Sequence, residues 1–151
     1  MQVGIINGTS YFGLDLIRLL SDHPEAQITG ITARSQAGKR LGDVFPHVAG
    51  LPCGSQLGSI RLTKSIESSV DFVFSCLPHA ASAEALIPFI DRGIPVVDAS
   101  ADFRLKDAAI YEKWYGVAHP APQLLDDAVY GLTETHRAEL SRSEERRVGK
   151  V

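Results

Sequence analysis

Apolar positions in this chain come in short blocks whose spacing switches between strand and helix periods. Val3, Ile5 and Ile6 form an apolar run bounded by turn residues, the pattern of a strand buried on both faces of a parallel sheet. Helical spacing follows at once. Phe12, Leu16, Leu19 and Leu20 fall at i, i+4, i+7 and i+8 on one stripe, and Ser21, Asp22, His23 and Pro24 stop the helix, because proline cannot continue it. Ile28–Ala33 reads as the second strand, which completes a βαβ unit. Residues 34–58 are rich in glycine and proline and read as loop, with a short helix near Arg40–Phe45; Ile60–Thr63 reads as a further strand.

The second half repeats the alternation. Asp71–Leu77 is a buried strand ending at Pro78 and His79. Ser82 is placed to cap the next helix, whose Leu86, Ile87 and Ile90 face the sheet. Pro88 predicts a kink or restart in that helix, and Gly93 its end. Ile94–Ala99 is the next strand. Asp107–Tyr115 reads as a helix with an aspartate cap and Gly116 past its end. His119–Gln123 is a proline-punctuated loop, Ala128–Leu132 an edge strand and Glu134–Leu140 a short helix. Strands alternating with helices predict an α/β fold, a doubly wound, mostly parallel, Rossmann-like sheet.

The other properties of the chain narrow the class. Its 151 residues suit one domain, and 44% hydrophobic content is enough for a core. A net charge of −3 gives no footprint for nucleic acid or a membrane surface. No apolar run reaches the roughly 18 residues of a membrane span, and no basic-then-apolar leader opens the chain, so a cytoplasmic location is expected. Cys53 and Cys76 form neither a CxxC pair nor a metal-spaced cluster, which predicts two free thiols and no metal site.

The chemistry concentrates in Asn7-Gly8-Thr9-Ser10-Tyr11-Phe12-Gly13, directly after the first strand. A dinucleotide-binding turn needs one glycine for the turn, one for approach to the pyrophosphate and one for helix–strand packing. Gly8 and Gly13 remain here. Asn7 tolerates positive φ, and Thr9 and Ser10 offer hydroxyls to phosphate oxygens beside the helix N-terminus. After the second strand, NAD-binding folds place an acid for the ribose 2′-hydroxyl. This chain has Arg34 and Ser35, then Lys39, and no acid before Asp43, a set of donors suited to a 2′-phosphate and therefore to NADP. Leu77, Pro78 and His79 end a buried strand where open α/β sheets bind ligands; His79 is a cofactor or substrate contact, or a structural strand end.

Several stretches together resemble the N-acetyl-gamma-glutamyl-phosphate reductase family. They are Ser10–Gly13, Arg34–Lys39, Val44–His47, Leu77–His79, Val97–Leu105 (VDASADFRL), Tyr111–Gly116 (YEKWYG), His119-Pro120 and Val129–Leu132. The resemblance implies an NADP-dependent oxidoreductase of arginine biosynthesis that reduces an acyl phosphate to a semialdehyde. It implies a cysteine nucleophile, a thioester that accepts hydride from NADPH, and a histidine acid/base in a second domain. It also implies a small-molecule substrate and a homo-oligomeric full-length enzyme. Ser100, Asp102 and Arg104 are expected to face the substrate, with an ion pair to Asp102 or Asp107 as the other reading of Arg104.

The chain departs from the family twice. Asn7 and Ser10 stand where the family carries glycines, and the Asn-Pro-Gly-Cys motif of the nucleophile is absent. The reading is therefore an NADP-binding domain over 1–140 without a catalytic residue of its own, inactive and poorly soluble by itself. Residues 141–151 are expected to be a tail, disordered or artefactual, since SEERRVGK resembles translated vector sequence. The alternatives are a relative acting on aspartyl or aminoadipyl phosphate, and a free-standing NADP-sensing module.

Overall fold

The computed structural model describes residues 1–66 and 69–148. Four strands form one all-parallel sheet in the order β2-β1-β3-β4: β1 is Gln2–Ile6, β2 Gln27–Ile31, β3 Phe72–Ser75 and β4 Val96–Asp98. Between them run α1 (Tyr11–Leu20), α2 (Leu41–Val44), α3 (Gly54–Ser59) and α4 (Ser82–Ile90). After β4 come α5 (Ala108–Tyr115) and α6 (Thr133–Val148). Short 3-10 turns occupy Pro46–Gly50 and Pro122–Leu124.

The winding is visible in β1, whose side chains alternate between two cores. Val3 and Ile5 join Ile17 of α1, Ile28 and Ile31 of β2, Leu41, Leu57 and Leu62. Ile6 points the other way, into Val73, Leu86 and Phe89 of β3 and α4. Ile5, Ile17 and Ile31 are completely buried, each worth about 1.5–3 kcal/mol relative to exposure. α1 and α4 therefore cover opposite faces, and the chain reverses its direction of travel across the sheet between β1 and β3.

Several local readings differ from expectation. The inward face of α1 is Gly13 and Ile17, while Phe12 and Leu19 are exposed. Close contact of Gly13 with the preceding turn rotates the helix, and hydropathy alone gives no weight to a glycine. Ser82 is the first residue of α4 and not its cap; the cap comes from Asp102, far along the chain. Pro88 lies inside a continuous α4. Residues 34–58 hold the Pro46–Gly50 turn and α3, where loop was expected. Ile60–Thr63 makes only isolated bridges, Arg40 to Arg61 and Thr32 to Thr63. Ala128–Leu132 forms no strand. The helix expected over Glu134–Leu140 begins at Thr133 and runs on to Val148, with non-helical angles at His136. Residues 149–151 of the expected tail lie outside the described residues.

Local signals account for α5. Asp107 accepts from the Ala109 and Ile110 amides, and Gly116 adopts φ 73° to end the helix. Just before it, the Lys106 ammonium donates to the carbonyls of Leu125, Asp126 and Ala128. Those three bonds close the chain around α5. No helix among the described residues is long and apolar enough to cross a membrane.

Candidate functional site

The crevice expected of an open α/β sheet lies beyond the carboxyl ends of β1 and β3, where the strand order reverses. β1 ends in the turn Asn7–Ser10. Asn7 adopts φ 57°, the left-handed conformation that asparagine tolerates best after glycine. Its backbone amide donates to Thr32 Oγ1 at 2.9 Å, and the Gly8 amide to the Thr32 carbonyl at 3.0 Å. Its side-chain Nδ2 donates to the Cys76 carbonyl at 2.9 Å. One residue thus ties the ends of β2, β1 and β3. Composition at Asn7 signalled the positive φ; its partners Thr32 and Cys76 carried no sequence signal.

Two glycines make the turn tight. A Cβ on Gly8 would lie 2.6 Å from Ile31 Cγ2, and one on Gly13 would lie 2.6 Å from Gly8 Cα. Ser10 caps α1 by accepting from the Gly13 amide at 3.0 Å. The Tyr11 and Phe12 amides precede any intrahelical partner and are the free donors of the first turn. Tyr11 is 96% exposed at this rim. Thr9 and Ser10 stand half-buried beside them. Backbone donors, hydroxyls and the positive end of the helix dipole converge on the space above the turn, a set that fits a diphosphate.

Arg34, Ser35 and Lys39 are exposed just beyond β2. Neither Arg34 nor Lys39 forms an ion pair among the described residues, where Arg18 and Asp15 make the pair observed. Opposite them, Leu77, Pro78 and His79 follow β3, with His79 exposed and its ring 5.2 Å from that of Tyr115. The structure therefore brings the turn, the β2 end and the β3 end to one edge of the sheet.

The segment expected to face the substrate is mostly turned inward. Asp102 is fully buried. Its carboxylate accepts from the amides of Ala80 (2.8 Å), Ser82 (3.1 Å) and Ala83 (2.9 Å) and from the Tyr111 hydroxyl (2.8 Å). With every oxygen so engaged, Asp102 is no substrate contact. This corrects the expectation, which missed the role because the three amide partners lie about twenty residues earlier in the chain. Ser100 is half-buried: its hydroxyl donates to Asp98 Oδ2 at 2.7 Å and accepts from the Asp102 amide. Arg104 is exposed and lies 5.8 Å over the Tyr130 ring, paired with neither Asp102 nor Asp107. Ser100 and Arg104 do line a cavity of about 740 Å³ beside β4, with Asp98, Phe103 and Tyr130.

The protonation of this region follows from its contacts. His119 Nδ1 accepts from the Ala121 amide, so its proton sits on Nε2, which donates to the Asp102 carbonyl at 2.9 Å. Burial pushes the Tyr111 hydroxyl up to about 12, with the Asp102 carboxylate adding to the effect. Burial, then the charge of Asp98, pushes the Cys76 thiol up to about 11. Cys76 is buried and Cys53 is exposed at the start of α3; both are free. The raised Cys76 thiol is the opposite of an activated nucleophile. Among the described residues no group of three His, Cys, Asp or Glu could hold a metal ion.

This fold and this turn define a dinucleotide-binding domain, and the chain belongs to the semialdehyde dehydrogenase, NAD binding domain family, matched over residues 2–143. Its curated relatives are more specific. The N-acetyl-gamma-glutamyl-phosphate reductase of Dehalococcoides mccartyi is 44% identical over 140 residues, 93% of this chain and 39% of that protein. The enzyme of the same name from Rhodobacter capsulatus is 45% identical over 141 residues, 92% of this chain and 40% of that one. The chain thus spans about two fifths of the length of these relatives. Among solved structures, aspartate semialdehyde dehydrogenase with NADP from Candida albicans superposes with a TM-score of 0.60 at 26% identity, over 71% of this chain and 31% of that one.

Proposed function

We propose that this chain is the NADP-binding part of an N-acetyl-gamma-glutamyl-phosphate reductase, working in the cytoplasm as part of a homo-oligomer. The observation that carries the cofactor reading is the β2 end. Arg34, Ser35 and Lys39 stand exposed beside the diphosphate turn, with no carboxylate before Asp43. A 2′-phosphate there meets charge-assisted donors, whereas a 2′-hydroxyl meets no carboxylate. The diphosphate rests on the Tyr11 and Phe12 amides, with Thr9 and Ser10 beside it. The other half of the dinucleotide extends past Asn7 toward Leu77–His79. Bound NADPH supplies the hydride that turns an acyl group into a semialdehyde.

The substrate reading is supported by the 44–45% identity to the two reductases against 26% to the aspartate enzyme. Titration of nucleotide fluorescence with NADPH and NADH tests the cofactor. Tighter binding of NADPH is expected; equal affinities overturn the NADP reading, and no binding of either overturns the site. Phosphate-dependent reduction of NADP by the semialdehyde is expected to be absent from the 151-residue chain, because it carries no Asn-Pro-Gly-Cys motif and its Cys76 is buried with a raised thiol. Turnover would overturn that statement.

A further inference from the structure

Two helices begin at the crevice, and their first turns are treated differently. In α1 the Tyr11 and Phe12 amides are left for a ligand. In α4 the Ser82 and Ala83 amides are consumed by Asp102 Oδ2, and the preceding Ala80 amide by Asp102 Oδ1. Ala80 is held at φ 64°, a conformation that costs a non-glycine residue energy and persists only where its surroundings over-determine it. Asp102 is what over-determines it. A buried carboxylate with four donors neutralises the positive end of α4 and fixes the loop that leads into it.

That carboxylate is in turn held from α5. Tyr111 donates to Oδ1, and its ring lies 4.8 Å from Tyr115, which meets His79 at 5.2 Å. The Leu77–Ala80 loop is therefore gripped twice from the same helix, at its backbone through Asp102 and at His79 through Tyr115. We infer that Asp102 is a positioning residue: it sets the Leu77–Ala80 loop against the nicotinamide half of the bound dinucleotide while leaving the adenosine half, on the β2 side, untouched. This rests on the NADP reading above.

The effect separates the two halves of the ligand, which general damage to the fold would not do. Titrate the 151-residue chain and its Asp102→Asn variant with NADPH and with 2′-phospho-ADP-ribose, which lacks the nicotinamide. The amide keeps the shape of the carboxylate but loses its charge and half its acceptors. Asp102→Asn is expected to weaken NADPH about tenfold, the cost of a charge-assisted hydrogen bond, and to leave 2′-phospho-ADP-ribose unchanged. Equal weakening of both, or of neither, overturns the inference. If Asp102→Asn does not fold, Tyr111→Phe carries the same comparison, with a loss of about threefold expected for NADPH alone from one neutral bond; an unchanged ratio overturns it. Failure of the unaltered chain to bind either ligand would instead overturn the NADP reading, and the inference with it.

Discussion

Gly13 leans on Gly8 so closely that any side chain at position 13 meets main chain: its Cβ would lie 2.6 Å from Gly8 Cα and 2.7 Å from the Gly8 carbonyl carbon and oxygen. Backbone cannot rotate away as a flexible side chain can. Gly13→Ala must therefore shift α1 against β1. A loss of about 1–3 kcal/mol is expected in urea denaturation, the usual cost of overpacking. Gly50→Ala is the control, since a Cβ there meets nothing within 4 Å; it is expected to stay within about 0.5 kcal/mol. Equal effects at both positions would show that the contact with Gly8 carries no energy.

Asn7 combines a left-handed backbone with a bond across the crevice to the Cys76 carbonyl. Both Asn7→Gly and Asn7→Ala lose that bond, worth about 1 kcal/mol. Only alanine also meets the steric cost of positive φ, about 1–2 kcal/mol. Asn7→Ala is thus expected to be the less stable of the two by about 1 kcal/mol, read from paired denaturation curves. The reverse order would mean that the left-handed turn is not maintained in solution.

Arg34 tests the choice of cofactor. Arg34→Ala removes an exposed guanidinium that would pair a 2′-phosphate. NADPH affinity is expected to fall about tenfold or more, with NADH unaffected, in the same fluorescence titration. Parallel losses for the two nucleotides would place Arg34 on the diphosphate instead.

Cys76 gives the chain an alkaline limit. Folding raises its thiol from 9.0 to about 11, so the folded state holds the proton more tightly than the unfolded chain. Its contribution is fully present below pH 9.0 and is lost as pH rises toward 11, because the unfolded state ionises first. Cys76→Ala is expected to flatten the decline in stability across that window. In a chromogenic thiol assay at neutral pH, exposed Cys53 is expected to react at once and Cys76 only after unfolding.

What the sequence revealed were the features built from neighbours. β1 was legible because a strand buried on both faces is continuously apolar. The Asp107 cap and the Gly116 stop were legible because each acts within four residues. The turn after β1 was legible in spite of a degraded fingerprint, since Asn7 and Gly8 supply the backbone freedom the pattern asks for.

What stayed hidden was decided across the fold. Asp102 sits in a stretch that the family resemblance marked as important, but its partners Ala80, Ser82 and Ala83 are brought to it only by the crossover from β3 to β4. For the same reason Ser82 passed for a cap. The YxxWYG stretch shows the limit of reading a motif as a unit. Tyr111 is buried against Asp102 and half-buried Tyr115 packs on exposed His79, while Trp114 between them is 74% exposed. Phe12 and Leu19 misled for a different reason: the position that orients α1 is a glycine, invisible to any count of hydrophobic spacing.

Lys106 has a dynamic consequence. Its three carbonyl partners at Leu125, Asp126 and Ala128 draw together the neck of a loop, and Tyr111 and His119 pin the middle of that loop to Asp102. Closing a loop of this length costs entropy once, and every bond inside it shares the return. Residues 107–127 should therefore open as a single cooperative unit, so that in hydrogen exchange the amides of α5 lose protection together, at one rate, and not by fraying from its ends.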